Sequence, residues 1–76
     1  MIPLKLKELQ EGVVYWDIIS QRPVLITSIE EVEYVDLKNG TYKALDARGT
    51  IFSEGKYDYN VHINDNQLRE IKTSEL

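Results

Sequence analysis

With 76 residues the chain is long enough for one domain at most, so residues 1–76 are predicted to form a single domain. The absence of cysteine excludes disulfides and thiolate zinc sites, and no apolar run approaches the roughly 20 residues of a membrane span. The net charge of −4, with thirteen acidic side chains against nine basic ones, disfavours nucleic acid as a partner. The first residues mix acid and base without a long apolar stretch, so no signal peptide is predicted and we expect a cytoplasmic protein.

The first half of the chain predicts two strands separated by a short polar break. Residues 13–19 are β-branched and aromatic, and residues 24–29 resume the same composition after a break at 20–23. Glu30 and Glu31 then predict a second turn. Gly12 is placed to turn the chain into the first strand.

A hairpin is the clearest predicted element. The runs 32–38 and 41–47 flank Asn39–Gly40, a dipeptide that favours a two-residue type I′ turn because both of its positions need a positive φ. This turn would place Leu37 opposite Tyr42. It would also place Asp36 opposite Lys43 as a cross-strand pair of opposite charge.

The remainder of the chain continues the β pattern. Arg48–Gly49 predicts a turn, and a short run follows at 50–52. Residues 57–63 alternate strictly between apolar and polar side chains, as in a half-buried strand. The segment 68–71 is expected to close the domain as a short strand or helical turn.

Five or six short strands in a chain of this size predict an all-β fold. The closest type is a small five- to six-stranded antiparallel SH3-like barrel with at most one short helical turn. An open antiparallel sheet with one short helix is the alternative.

Two segments resemble the opening strands of the Kid/MazF type of toxin endoribonuclease. They are Glu11-Gly12-Val13-Val14-Tyr15-Trp16-Asp17 and Arg22-Pro23-Val24-Leu25-Ile26-Thr27-Ser28. The resemblance implies a small barrel in which these two strands pair. The basic loop and the Pro-x-Thr segment of that family have no counterpart here, so no catalytic residue carries over.

The residues that bear chemistry do not form a recognisable catalytic or metal-binding set. His62 is the only histidine, and no nucleophile motif accompanies it. The acidic run around Asp58 lacks the glycine and the final glutamate of a calcium loop. The sequence therefore predicts a protein that is not an enzyme and that needs no cofactor or metal.

The first two strands are apolar on both faces, which predicts a binding surface. Val14 and Trp16 point one way, and Tyr15 and Ile19 the other. A small domain has one core, so the second face must be covered by the N-terminal leucines or by another chain. If Tyr15 is core instead, Trp16 takes its place at the interface. The candidate partner-binding residues are Tyr15, Trp16, Ile19, Arg22, Tyr57 and Tyr59.

Three functions fit this sequence. The first is a non-enzymatic protein-interaction module that binds itself or a protein partner. The second is a nucleic-acid-binding barrel that uses cations near the hairpin ends, namely Lys38, Lys43, Arg48 and Lys56. The third is a degenerate relative of the barrel-type toxin endoribonucleases. The acidic balance favours the first.

Overall fold

The computed structural model describes residues 2–53 and 56–76, and for residues 56–59 it describes the backbone alone. Five strands account for most of this length: β1 (Val14–Asp17), β2 (Arg22–Asp36), β3 (Gly40–Ser53), β4 (Lys56–Ile63) and β5 (Leu68–Glu70). Two short 3-10 turns lie near the termini, at Leu6–Glu8 and Thr73–Glu75. The sequence predicted at most one short helical turn, whereas the structure has two.

All five strands belong to one antiparallel sheet with the order β4-β3-β2-β1-β5. The all-β class and the five antiparallel strands are thus confirmed. The sheet is not closed, so the SH3-like barrel stays a prediction. β1 and β2 pair with each other, as the sequence predicted, with Tyr15 opposite Val24.

The predicted turns at residues 30–31 and 48–49 do not exist. β2 and β3 run through both positions, and Glu31 pairs with Leu45. The strand irregularity lies instead at a bulge between Ile26 and Ser28. Gly49 is needed for close packing, because a Cβ there would lie 2.7 Å from both the Leu25 carbonyl oxygen and Val24 Cγ1.

A single core lies on one side of the sheet. Its buried members are Leu9, Tyr15, Val24, Ile26, Ala47, Ile51, Ile63 and Leu68. The N-terminal segment packs on this side, because Leu4 and Leu6 contact the core. Backbone hydrogen bonds fix that segment: the Leu4 N–H donates to the Leu68 carbonyl at 2.7 Å, and the Leu6 N–H to Asp65 Oδ1 at 2.8 Å. The N-terminal leucines therefore complete the core.

The hairpin has a three-residue loop, so the predicted type I′ turn is wrong. Asp36 pairs with Gly40, and residues 37–39 form the loop. Only Gly40 of the Asn39–Gly40 pair has a positive φ, +83°. The Asp36 carboxylate accepts hydrogen bonds from the Lys38 N–H at 2.8 Å and the Asn39 side-chain amide at 3.2 Å. This local side-chain turn closes the hairpin earlier than the dipeptide alone predicts.

The alternation predicted for 57–63 holds where side chains are described. Ile63 is buried and Val61 half-buried, whereas His62 is exposed. The pairing with β3 shifts between Ile51 and Phe52. The side chains of Tyr57 and Tyr59 lie outside the described part of the chain.

Candidate functional site

Tyr15 belongs to the core rather than to a binding surface. Its side chain is only 6% exposed, and its hydroxyl accepts a hydrogen bond from the Gln10 N–H at 3.0 Å. This corrects the expectation that Tyr15 presents an accessible face. The alternative prediction applies, in which the opposite face of β1 carries Trp16.

Trp16 is half-buried on the outer side of the sheet. The Arg69 guanidinium lies over the indole, 5.2 Å from the ring centroid. Arg69 Nη1 donates to Glu75 Oε1 at 2.9 Å, and Arg69 Nη2 donates to Glu75 Oε2. This double hydrogen bond lowers the pKa of Glu75 to about 2. The C-terminal 3-10 turn is thereby anchored beside Trp16.

Ile19 and Arg22 lie beside the connection from β1 to β2, at the end of β1 where Asp17 pairs with Arg22. The Ile19 side chain is 77% exposed, and its N–H donates to Asp17 Oδ1 at 2.9 Å. Arg22 Nη1 donates to Ser53 Oγ at 2.9 Å. Tyr15 is buried on one face of β1 and Trp16 lies on the other, so the predicted residues do not all share one surface.

A projecting two-stranded segment, residues 30–46, is the most exposed apolar feature described, and we call it the hairpin arm. Its pairs run from Glu30 opposite Asp46 to Asp36 opposite Gly40. β1 pairs with β2 only at residues 22–25, and β4 pairs with β3 only at 47–53. Within the described residues, neither outer edge of the arm bonds to a further strand. The longest dimension of the molecule, 46 Å, reflects this extension.

Tyr34 and Tyr42 form a stacked pair at the end of the hairpin arm. They are direct cross-strand partners, with ring centroids 5.5 Å apart and planes inclined by 22°. Their side chains are 40% and 53% exposed. Val32 and Ala44 form the next pair on the same face, and we call these four residues the tyrosine face.

The opposite face of the hairpin arm is also partly apolar. Val35 is 77% exposed, and Leu37 in the loop is fully exposed. Lys43 lies on this face, 3.7 Å from Glu31. Uncovered apolar side chains on both faces of one ribbon are characteristic of contact surfaces.

The hairpin arm is acidic. Five carboxylates and two lysines fall within residues 30–46, a net charge of −3. Asp46 is balanced locally by Arg48 Nε at 3.6 Å and His62 Nδ1 at 3.4 Å. The Lys38 N–H and the Asn39 amide hold the pKa of Asp36 below its usual range.

Two of the basic residues of the nucleic-acid hypothesis are close to acidic side chains. Lys43 and Arg48 each lie beside a carboxylate, and Lys38 is in the hairpin loop. The side chain of Lys56 falls outside the description. Across residues 2–53 and 56–76, no group of three or more His, Cys, Asp or Glu side chains is placed to hold a metal.

Comparisons with family models, curated proteins and solved structures found no match for this chain. The resemblance to Kid/MazF-type toxins therefore stays a prediction that rests on the residues quoted above. Among the described residues, none forms a helix with the length and apolar character needed to cross a membrane.

Sequence reasoning predicted a hairpin in the region of the arm but missed its register and the cross-strand pair of Tyr34 and Tyr42. The sequence predicted one hairpin in this region but cut its strands short at Glu30–Glu31 and Arg48–Gly49. A signal for the true loop was present in Asp36, since an aspartate two residues before a turn amide often closes a side-chain turn. Reading that signal would have placed Tyr34 opposite Tyr42.

Proposed function

We propose that this chain is a non-enzymatic protein-interaction module that docks on a protein partner through the hairpin arm. The observation that carries the proposal is the exposed Tyr34–Tyr42 stack on a ribbon whose two outer edges are unpaired. We place the module in the cytoplasm, in agreement with a chain that lacks cysteine. Its body is proposed to be an SH3-like barrel, supported by five antiparallel strands with one core on one side of the sheet.

The energetics of the hairpin arm support a docking role. An isolated two-stranded ribbon is at best marginally stable in water. Free strand edges also invite pairing with other chains. Tyrosine is among the residues that contribute most at protein interfaces, because its rigid ring covers a large area at a small entropic cost. A partner that covers Tyr34 and Tyr42 would stabilise the ribbon while it binds.

The charge of the hairpin arm favours a partner other than nucleic acid or a second arm. A net charge of −3 repels phosphates, and it equally repels the same segment of another copy. Self-association through β1 would have to use the face that carries Trp16, because Tyr15 is buried, and Arg69 already lies over that indole. If the affinity purification described next recovers a second copy of this chain in place of another protein, the result would indicate a dimer built on another face.

Quantitative affinity purification with matched variants tests the docking role. The arm variant is Tyr34→Ser/Tyr42→Ser, and the control is Ile2→Ser, whose side chain is 84% exposed near the N-terminus and outside the hairpin arm. Folding of each protein is checked by NMR. We expect the control to retain the specific partner and the arm variant to lose it by at least about tenfold, which corresponds to about 1.4 kcal/mol. Equal retention by the two folded variants would contradict the proposal.

The non-enzymatic part of the proposal is tested separately. His62 lies 3.4 Å from Asp46, but among the described side chains it makes no hydrogen bond to a serine or threonine hydroxyl. Because the described side chains offer His62 no hydroxyl nucleophile, we expect no cleavage of peptides or esters, and the acidic balance of the chain disfavours RNA as a substrate. Cleavage that is abolished by His62→Ala would contradict this expectation.

A further inference from the structure

We infer that the tyrosine face of the hairpin arm recognises an extended peptide segment that carries arginine or lysine, with a cationic side chain placed over the Tyr34 and Tyr42 rings. This inference rests on the proposed docking role. It names the chemistry of the partner segment, which belongs to a different protein.

The geometry of the ring pair fits a cationic group. Aromatic faces attract a guanidinium or ammonium within about 6 Å of the ring centroid. Arg69 over Trp16, at 5.2 Å, shows the same contact inside this chain. Tyr34 and Tyr42 are half-exposed, so a side chain from another molecule can reach their rings.

Carboxylates surround the tyrosine face at both ends. Asp36 lies two residues beyond Tyr34 on the same face, a distance of about 7 Å along the strand. Its carboxylate accepts hydrogen bonds from the Lys38 N–H and the Asn39 side-chain amide. Glu30 and Asp46 form the cross-strand pair at the base of the arm.

Two of the carboxylates around the tyrosine face form no ion pair within the described residues. Lys43 is occupied by Glu31, and Asp46 by Arg48 and His62. In the ranges that the structure describes, neither Glu30 nor Asp36, which lie on the same face as Tyr34, forms an ion pair. A cationic segment would supply the missing counter-charge, whereas a second acidic arm would add to the repulsion.

The length of the face sets the size of the segment. The pairs from Glu30 to Asp36 span about 20 Å at roughly 3.4 Å per residue. An extended peptide of about six residues covers this distance. Two or three cationic side chains of such a peptide would reach the rings and the carboxylates.

The inference is tested by titrating the protein with a ten-residue peptide of alternating arginine and serine. Binding is followed through the shifts of the protein's amide signals in NMR. The matched probe replaces arginine with citrulline, which keeps the shape of the side chain but lacks its charge. We expect shifts confined to residues 30–46 and binding that weakens as salt increases. The citrulline peptide should bind at least about threefold more weakly.

Variants separate the roles of ring and charge. Tyr34→Leu/Tyr42→Leu should weaken arginine-peptide binding by about two- to fivefold, whereas Tyr34→Phe/Tyr42→Phe, which keeps both ring faces, should bind as the parent protein does. Asp36→Asn preserves the side-chain turn but removes its charge, and it should also weaken binding. Ile2→Ser, at an 84% exposed position outside the hairpin arm, should bind as the parent does.

Three results would overturn the inference: equal binding of the citrulline peptide, shifts centred outside the hairpin arm, or the absence of any shift. The result can be told apart from that of the docking test. Loss of the partner by the Tyr34→Ser/Tyr42→Ser variant, without arginine-peptide binding, would keep the docking role and reject cation recognition. Retention of the partner by that variant would reject the docking role itself.

Discussion

Tyr34 and Tyr42 face each other across the hairpin arm, with ring centroids 5.5 Å apart. The Asn39–Gly40 dipeptide predicts Leu37 at this position instead, three residues further along the chain. In the predicted register Val35 lies opposite Ala44, on the same face as Tyr42. A shift of three residues is odd, so in the structure Val35 lies on the other face. The observed register thus joins two tyrosines and leaves Val35 and Leu37 exposed on the other side.

The stacked pair should stabilise the hairpin arm. We expect Tyr42→Ala to lower the local opening free energy of the arm by about 0.5–1.5 kcal/mol, the contribution typical of an aromatic pair. Amide exchange within residues 30–46 measures this change. Leu37→Ala, at a fully exposed loop position, is the control and should have almost no effect. NMR contacts between residues 37 and 42, in place of 34 and 42, would contradict the register.

The hairpin loop should tolerate substitution at Asn39 but not at Gly40. Gly40 has a φ of +83°, so Gly40→Val should cost about 1–2 kcal/mol, since a β-branched side chain resists this conformation. Asn39→Ala should cost only a few tenths of a kcal/mol, because it removes one exposed hydrogen bond to Asp36. Amide exchange in the arm measures both changes. Similar losses at the two positions would indicate the two-residue type I′ turn.

Gly49 should be intolerant of even a methyl group. A Cβ at this buried strand position would approach Val24 Cγ1 and the Leu25 carbonyl oxygen to 2.7 Å. The Val24 methyl can shift slightly, but the backbone of Leu25 is held in the sheet. We expect Gly49→Ala to lower the free energy of unfolding by about 1–3 kcal/mol, as overpacking usually does. Urea unfolding measures this loss, with the exposed change Thr41→Ala as control. An unchanged midpoint would mean that β2 and β3 are less closely packed here.

Acid should release the C-terminal 3-10 turn. The Arg69 hydrogen bonds lower the pKa of Glu75 from its ordinary 4.5 to about 2. A lowered folded-state pKa means that this interaction contributes fully above pH 4.5 and is lost as the pH falls toward 2. Trp16 is the only tryptophan and lies beneath Arg69, so its fluorescence should change over this window.

Glu75→Gln isolates this titration from that of other acids. The pKa of Asp36 is also lowered, through the backbone N–H of Lys38, so acid affects the hairpin arm too. The variant should lose the part of the Trp16 response that belongs to Glu75 and keep the effect on the arm. Identical fluorescence titrations of the parent and the variant would show that Glu75 does not hold Arg69 over Trp16 in solution.

The sequence was sufficient for the β class, because its β-branched and aromatic runs favour strands. The pairing of β1 with β2, which the resemblance to Kid/MazF-type toxins implied, is present in the structure. The alternation that ends at Ile63 likewise identified the inward side of β4 where side chains are described. The absence of cysteine was equally plain from the sequence.

Which face of β1 enters the core could not be read from the sequence, since Tyr15 and Trp16 are both large and apolar. The structure settles the choice through contacts from distant segments: the Gln10 N–H bonds to the Tyr15 hydroxyl, and Arg69 covers Trp16. These contacts exist only once the termini have folded onto the sheet.

The turns predicted at residues 30–31 and 48–49, within β2 and β3, were wrong because strand pairing also depends on distant segments. Gly49 and Glu31 resemble turn residues by type, but inter-strand pairing keeps both in extended strands. Local composition therefore determined that this protein is made of antiparallel strands. Tertiary contacts decided where those strands bend, which faces they bury and how far the Tyr34–Tyr42 ribbon projects, because each of these depends on backbone pairing between residues far apart in the chain.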